Sequence, residues 1–323
     1  MLHTLNFMAI RPLQILFVLF MLLPNYSNGS ENWILEPTGN YEIPLDFPQL
    51  GGLSAINVHQ SGKRFVTISD RGKYFIGNIE RDNAEKIIDI QIIESGSLLN
   101  SAGEHLSGRN TDSESLTTID NQAFFISFES NHRIMFHESL QAAGTFLPKH
   151  ADFKKFSPNK GLEAIAVNSK GQIFAIPEEP PGEDVDFPLY KFNGETWSIF
   201  SRFPTSGSFL VTDSVFLPDG DILILERDYD WSVGFKMQLR LLHLNDYTIT
   251  GQTALLSLNS GLHNHEGLSL WQNESKQFFI TSISDNNFIF SFKILIRSLF
   301  FNIGFGILAK SENSLTKFSI CLI

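Results

Sequence analysis

The sequence predicts an all-β protein, and within that class a β-propeller. Three observations carry this: a recurring pair of strand-like runs, tight-turn residues between the two runs, and a residue usage suited to extended chain. Phenylalanine occurs 30 times in 323 residues. Phe, Ile, Val and Thr fit a pleated, half-buried surface better than a helix. The paired runs return at intervals of about 50–60 residues, the spacing of propeller repeats.

The first copy opens at Gly51-Gly52-Leu53-Ser54 and continues through residues 64–72. The second couples 112–116 with 124–134, and the third couples 159–165 with 173–179. The fourth couples 212–215 with 222–227, and the fifth couples 264–268 with 278–288. Between the runs stand Ser61-Gly62, Asn121, Lys170-Gly171, Asp219-Gly220 and Asn273-Glu274. Residues of these types supply the positive φ or side-chain bonding that a hairpin turn needs. One hairpin cannot bury its own apolar face, whereas radial repetition can, which places a propeller above a β-sandwich. Five copies are visible, and the runs around 33–45 and 237–258 are available to complete further blades.

Ahead of the repeats, Arg11 precedes an apolar run over 13–23 that Pro24 ends, with Ser27 and Gly29 just beyond. A basic start, a short apolar centre and small residues at a cleavage point read as a signal peptide over 1–29. The run is too short for a comfortable membrane span, which takes about 20 apolar residues. The expected organisation is therefore a signal peptide at 1–29, a propeller domain at 30–296 and an atypical tail at 297–323. The protein is expected in the periplasm or secreted, as a monomer with no stable membrane span. Cys321 is the only cysteine, so the fold must hold without an internal disulfide.

The formal net charge is −11. A chain this acidic repels nucleic-acid phosphates and anionic membranes unless basic residues are segregated on one face, and no Lys/Arg run supplies such a face. Nucleic-acid binding is excluded on this ground. No Gly-x-Ser-x-Gly elbow, P-loop, dinucleotide fingerprint or HExxH motif is present, so a covalent serine, nucleotide or zinc-protease chemistry is not indicated.

The acids recur with the repeat. Equivalent positions of successive blades meet around one axis, which would gather Glu114, Glu163 and Glu266 as candidate catalytic groups. Asp70, Glu129, Glu178, Asp213, Glu226 and Asp285 would stand beside them as candidate metal ligands. Clustered carboxylates repel, and Ca2+, which takes six to eight oxygen ligands, is a natural compensator. Arg71, Arg133, Arg227 and His265 would hold the anionic part of a small ester substrate. The competing reading gives the same acids a structural task, as acceptors for backbone N–H groups or partners of these arginines.

The ordered series Gly51-Gly52-Leu53-Ser54, Ser69-Asp70-Arg71-Gly72, Ser127-Phe128-Glu129, Gly161-Leu162-Glu163-Ala164, Leu225-Glu226-Arg227, Glu266-Gly267-Leu268 and Ser284-Asp285-Asn286-Asn287-Phe288 resembles the phytase-like family. That family is described as having esterase-like activity of phytase. The resemblance covers roughly residues 50–290. It implies an exported propeller, with six blades favoured by analogy with calcium-dependent propeller phytases and five as the alternative. Ser115 stands where the family has the glycine of Glu-Gly-Leu, and the tail beyond Phe288 departs from the family's closing strand. The resulting expectation is a Ca2+-assisted hydrolase of a phosphoester or ester. The rival readings are a non-catalytic binding propeller of the cell envelope and a lactonase-type propeller.

Overall fold

The computed structural model describes residues 32–43 and 50–297. The expected signal peptide, and the tail beyond Arg297, lie outside the described residues.

Among the described residues, the strands form five four-stranded antiparallel sheets, the blades of a propeller. Blade I contains β2 (Leu53–His59), β3 (Arg64–Ser69), β4 (Lys73–Arg81) and β5 (Ile87–Ser97). Blade II contains β6 (Ser113–Ile119), β7 (Ala123–Phe128), β8 (Arg133–His137) and the short β9 (Thr145–Phe146). Blade III contains β10 (Ala164–Val167), β11 (Ile173–Ile176), β12 (Asp186–Phe192) and β13 (Trp197–Pro204). Blade IV contains β14 (Leu210–Phe216), β15 (Ile222–Asp230), β16 (Gly234–Leu244) and β17 (Ile249–Gly261). Blade V takes β18 (His265–Gln272), β19 (Phe278–Ser284) and β20 (Phe288–Arg297) from the end of the domain, and β1 (Asn32–Glu42) from its start.

The ring thus has five blades where the resemblance favoured six. The two stretches held available for further blades are absorbed. The earlier one is β1, paired with β20 as the outer strand of blade V. The later one forms most of β16 and β17 in blade IV. Taking β1 from the start and β18–β20 from the end of the domain into one blade closes the circle.

Burial follows the ring. Each of five apolar clusters is built from two adjacent blades. Blades I and II share Ile68, Leu98, Ile126 and Phe128, and blades II and III share Ile134, Phe153, Ile165 and Tyr190. Blades III and IV share Phe187, Phe203, Ile222 and Ile224, and blades IV and V share Leu225, Leu239, Ile280 and Phe292. Blades V and I share Phe279, Trp271, Phe65 and Phe75, with Trp271 stacked on Phe279 at 4.5 Å between centroids. Both faces of every sheet are therefore covered, one against each neighbour. This is why the inner strands read as nearly continuous apolar runs.

The innermost strands β2, β6, β10, β14 and β18 surround the central channel. At one face lie the turns joining the first and second strands of each blade. Asp120 and Asn121 there take φ of 57° and 55°, the left-handed pair of a tight hairpin. At the other face lie the ends of the second strands, and the acids Asp70, Glu114, Glu129, Glu163, Glu178, Glu266 and Asp285 stand on that side.

The seam between blades V and I closes the ring, so cutting a buried ring there should be costly. Phe279→Ala is expected to lower unfolding free energy by about 3–5 kcal/mol, the usual range for a fully buried aromatic. Chemical denaturation monitored by tryptophan fluorescence would measure it.

Candidate functional site

The acids are set by a shared irregularity of the inner strands. In blade I the β2–β3 ladder pairs Leu53 with Ser69 and then Ala55 with Ile68, so Ser54 is a bulge. Blade V pairs His265 with Ser284 and Gly267 with Ile283, which makes Glu266 the bulge. Blade IV pairs Val211 with Glu226 and Asp213 with Leu225, leaving Thr212. Blade II is irregular between Ser113 and Leu116, around Glu114. In blade III, Ala164 pairs with Ile176, and Glu163 immediately precedes it. A bulged residue is left out of the ladder and re-aimed. One level of the site is thus Ser54, Glu114, Glu163, Thr212 and Glu266.

A second level follows from backbone bonds at the end of each second strand. The amides of Asp70, Glu129, Glu178 and Asp285 donate to the carbonyls of Gly52, Asp112, Gly161 and Asn264, each two residues before its bulge position. In blade IV the residue paired with the equivalent Leu210 is Arg227. The second level is therefore Asp70, Glu129, Glu178, Arg227 and Asp285: four acids and one arginine. Gly52 is needed beside it, because its φ is +63° and a Cβ there would lie 2.3 Å from Asp70 Oδ1.

The carboxylates converge most closely on blades II and III. Oxygens of Asp112, Glu114 and Glu129 lie within 4.8 Å of one another, and so do those of Glu129, Glu163 and Glu178. Glu129 belongs to both groups, and its Oε1 accepts the Gly161 N–H at 3.1 Å. Burial and mutual repulsion raise the carboxyls of Glu114, Glu129 and Glu163. Burial, with Glu266, Asp112 and Glu129 nearby, pushes the Glu114 carboxyl well above the usual range. Glu163 is pushed well up by burial, with Glu114, Glu178 and Glu129 adding to it. Glu129 rises to about 7, from burial first and then Asp112 and Glu178. Glu266 also rises to about 7 through burial, although Arg227 pulls it down. Asp70 is raised by burial against the opposing pull of Arg71.

Three residues named from the sequence stand apart from this arrangement. Asp213 is one residue past the bulge and faces the layer beneath. It accepts from Ser115 Oγ at 2.9 Å, Ser214 N at 2.8 Å and Leu268 N at 2.7 Å, while Ser115 Oγ accepts from Ile165 N at 3.1 Å. These bonds tie blades II, III, IV and V together across the channel, so Asp213 is a structural strut with both carboxylate oxygens hydrogen-bonded. Ser115 provides its bridging hydroxyl. The equivalent Gly267 has no room for one, since a Cβ there would lie 2.8 Å from Ala55 Cα. Glu226 is one residue before the second level and points to the other side of its sheet. There it pairs with Arg240 and accepts from Gln238 Nε2 at 3.0 Å, all three side chains being buried. His265 is 1% exposed and bonds Ser282 Oγ at 2.9 Å. Burial drives its imidazole down to about 3, so it is a neutral core histidine and no anion-binding cation.

The arginines divide by environment. Arg71 is exposed beside Asp70, with Nε 3.7 Å from the carboxylate. Arg227 donates to Glu178 at 2.8 Å, Asn264 Oδ1 at 3.0 Å and Glu266 at 3.2 Å. Arg133 is 2% exposed, lies 4.0 Å over the Phe128 ring, and donates to the carbonyls of Asn131 at 3.1 Å and Asn110 at 2.6 Å. Burial lowers it to about 10. It lines a cavity of about 270 Å³ together with Asn100, Ser101, His105, Asn110 and Asn131. That cavity adjoins the carboxylates, since Ser130, beside Asn131, bonds Asp112 Oδ2 at 2.9 Å. Cavities of about 420 and 720 Å³ open at the opposite face, lined by turn residues such as Lys170, Asp219 and Asp82, and hold no part of the acid levels.

Asp112 was not among the site residues named from the sequence. Its signal was present: it stands two residues before Glu114, where the other copies carry Gly52, Gly161, Leu210 and Asn264. The arginine at the second level of blade IV was recognised as a neighbour of acids and not as the replacement of one.

A five-bladed ring with stacked acidic levels at one mouth of its channel defines the molecule as a propeller with a carboxylate-lined site. The family model for Phytase-like, described as esterase-like activity of phytase, matches residues 48–288. The chain belongs to that family. No curated protein sequence matches the chain. Among solved structures, the PQQ-bound aldose sugar dehydrogenase of Streptomyces coelicolor is similar at 11% identity and a TM-score of 0.47, over 82% of this chain and 99% of that one. A glucose dehydrogenase gives 8% and 0.43 over 79% and 99%, and the N-terminal domain of Nup159 gives 10% and 0.42 over 82% and 96%.

Two stability outcomes follow. Glu226→Ala strands a buried guanidinium and is expected to cost about 3–5 kcal/mol, readable by denaturant titration. The raised carboxyls give a second, pH-dependent outcome. Glu129 and Glu266 bind protons more tightly folded, at about 7, than their ordinary 4.5. Their stabilising share is present below the unfolded value and lost as pH rises through the folded one. In the presence of a chelator, melting temperature is expected to fall between about pH 5 and pH 8. Scanning calorimetry across that window would check it.

Proposed function

We propose that the chain is an exported hydrolase of a small anionic ester or phosphoester, assisted by a divalent cation held among its blade II and III carboxylates. The single observation that carries this is the convergence of two carboxylate triads, Asp112, Glu114 and Glu129, and Glu129, Glu163 and Glu178, joined through Glu129. The donor set fits calcium. Both groups consist of carboxylate oxygens alone, without nitrogen or sulfur. Their mutual separations stay within the ~4.6–5.2 Å that opposite ligands span at ordinary Ca–O lengths. Asp112, Glu114, Glu129 and Glu163 would hold the ion, which when bound supplies charge neutralisation and polarisation of the substrate oxygen.

The chain's own residues supply the rest. Arg133 and the amides of Asn100, Asn110 and Asn131 form a cationic, donor-rich corner beside the carboxylates, suited to the substrate's anionic group. Arg71, exposed at the rim, steers an anion inward through long-range attraction. Glu266, titrating at about 7, is placed to exchange a proton with water or a leaving oxygen at neutral pH. The Asp213 strut bridges four blades beneath the acids and fixes the floor of the site. The sequence features that support export are Arg11, the apolar run over 13–23 and the small residues Ser27 and Gly29.

Purified protein assayed on phytate, simple phosphomonoesters and carboxyl esters, with calcium and with chelator, tests the reading. Calcium-dependent turnover of at least one class is expected, and inactivity on all three would overturn it. A ligand carboxylate is worth roughly tenfold or more in affinity, about 1.4 kcal/mol per decade. Glu163→Gln is therefore expected to weaken calcium binding by at least about tenfold, as read by calorimetry. Wild-type binding should also release protons near pH 6–7, because raised carboxyls must ionise to ligate. Heats measured in buffers of different ionisation enthalpy would count them.

A further inference from the structure

We infer that Arg227 is the resident cation of the acidic levels, filling a place that blade symmetry gives to an acid and confining divalent-cation binding to the side bounded by Asp112, Glu114, Glu129 and Glu163. The inference rests on the cation-binding reading above and assigns that site its boundary.

The register is the first argument. Asp70, Glu129, Glu178 and Asp285 hold the second level in four blades, and Arg227 holds it in blade IV. Blade IV also carries Thr212 at the bulge, where blades II, III and V carry glutamates. It therefore brings a positive charge and no carboxylate to either level.

The contacts are the second argument. The Arg227 guanidinium reaches Glu178 of blade III, and Glu266 and Asn264 of blade V, all at 2.8–3.2 Å. Its charge thus bridges both seams of blade IV. Glu266 and Glu178 hold the guanidinium above its ordinary value although burial opposes this, so it stays charged. Glu178 also belongs to one of the two close oxygen groups. Arginine and a divalent ion therefore compete for Glu178, and a fixed positive charge beside it disfavours a second ion there.

Neutralising the arginine should convert its place into a cation position. Glu178, Glu266 and the Asn264 amide oxygen would remain. Asp285 stands behind them, its Oδ2 3.4 Å from Asn264 Nδ2. That is a donor set of oxygens such as calcium takes.

The test is calorimetric titration of the full chain with calcium chloride alone. Wild type is expected to bind a single equivalent in the acidic levels. Arg227→Gln should gain a second equivalent, Arg227→Lys should not, and Arg227→Gln combined with Glu178→Gln should lose the gain. An Arg227→Gln protein with unchanged stoichiometry, or without the first equivalent while circular dichroism shows it folded, would overturn the inference. A wild type that binds no calcium would contradict the cation-binding reading itself, which separates the two failures. Should Arg227→Gln fail to fold, Glu178→Gln alone decides the matter. Retention of the wild-type equivalent within about threefold supports the inference, and a loss beyond about tenfold makes Glu178 a ligand and overturns it.

Discussion

Carboxylates placed close together repel one another, and in this fold the backbone leaves them no alternative position. Four blades share a bulge at the start of the inner strand and blade III places Glu163 just before its ladder, so acids that are tens of residues apart in the chain are delivered to one mouth of the channel. The force that holds them there is elsewhere. Five apolar clusters, one at each seam between blades, fix the register of the inner strands. Burial of apolar surface is worth roughly 25 cal/mol per Å², and each seam removes several large side chains from water. The site is therefore a place where hydrophobic packing imposes an electrostatic cost.

That cost is relieved in three ways visible in the side chains. Burial and neighbouring acids push Glu114 and Glu163 well above the usual carboxyl range, which favours their uncharged forms. Arg227 supplies a positive charge from within the levels. Below them, burial pushes the Asp213 carboxyl well above its ordinary range, and hydrogen bonds from Leu268, Ser214 and Ser115 offset part of that cost. The proposed divalent ion would be the fourth means. It differs from the others in being exchangeable, so the occupancy of the site and the protonation of its acids are linked.

The propeller itself was legible, because alternating strand runs and turn residues leave a periodic trace. Glu114, Glu163 and Glu266 were legible for the same reason, each followed two residues later by Leu116, Ile165 or Leu268. Asp213 and Glu226 read as members of the same series, since Asp213-Ser214-Val215 and Leu225-Glu226 imitate it. Each is offset by one residue. Side chains alternate across a strand, so a slip of one moves a residue to a different environment. The bulge that decides the count lies in hydrogen bonding and leaves no mark in residue type. His265 was read as a cation because it stands beside the acid Glu266, whereas in the fold it is buried, bonded to Ser282 and packed on Phe290. Blade number was also beyond the sequence: β1 joins blade V by pairing with β20, a contact across nearly the whole chain.

The central claim is that the blade register gathers these acids around a common ion. A crystal of the full chain grown with calcium, with its anomalous scattering recorded, tests it most directly. A peak is expected at roughly 2.3–2.6 Å from oxygens of Asp112, Glu114, Glu129 and Glu163. A calcium-saturated crystal with no peak among those side chains, or with them on separate surfaces, would contradict it.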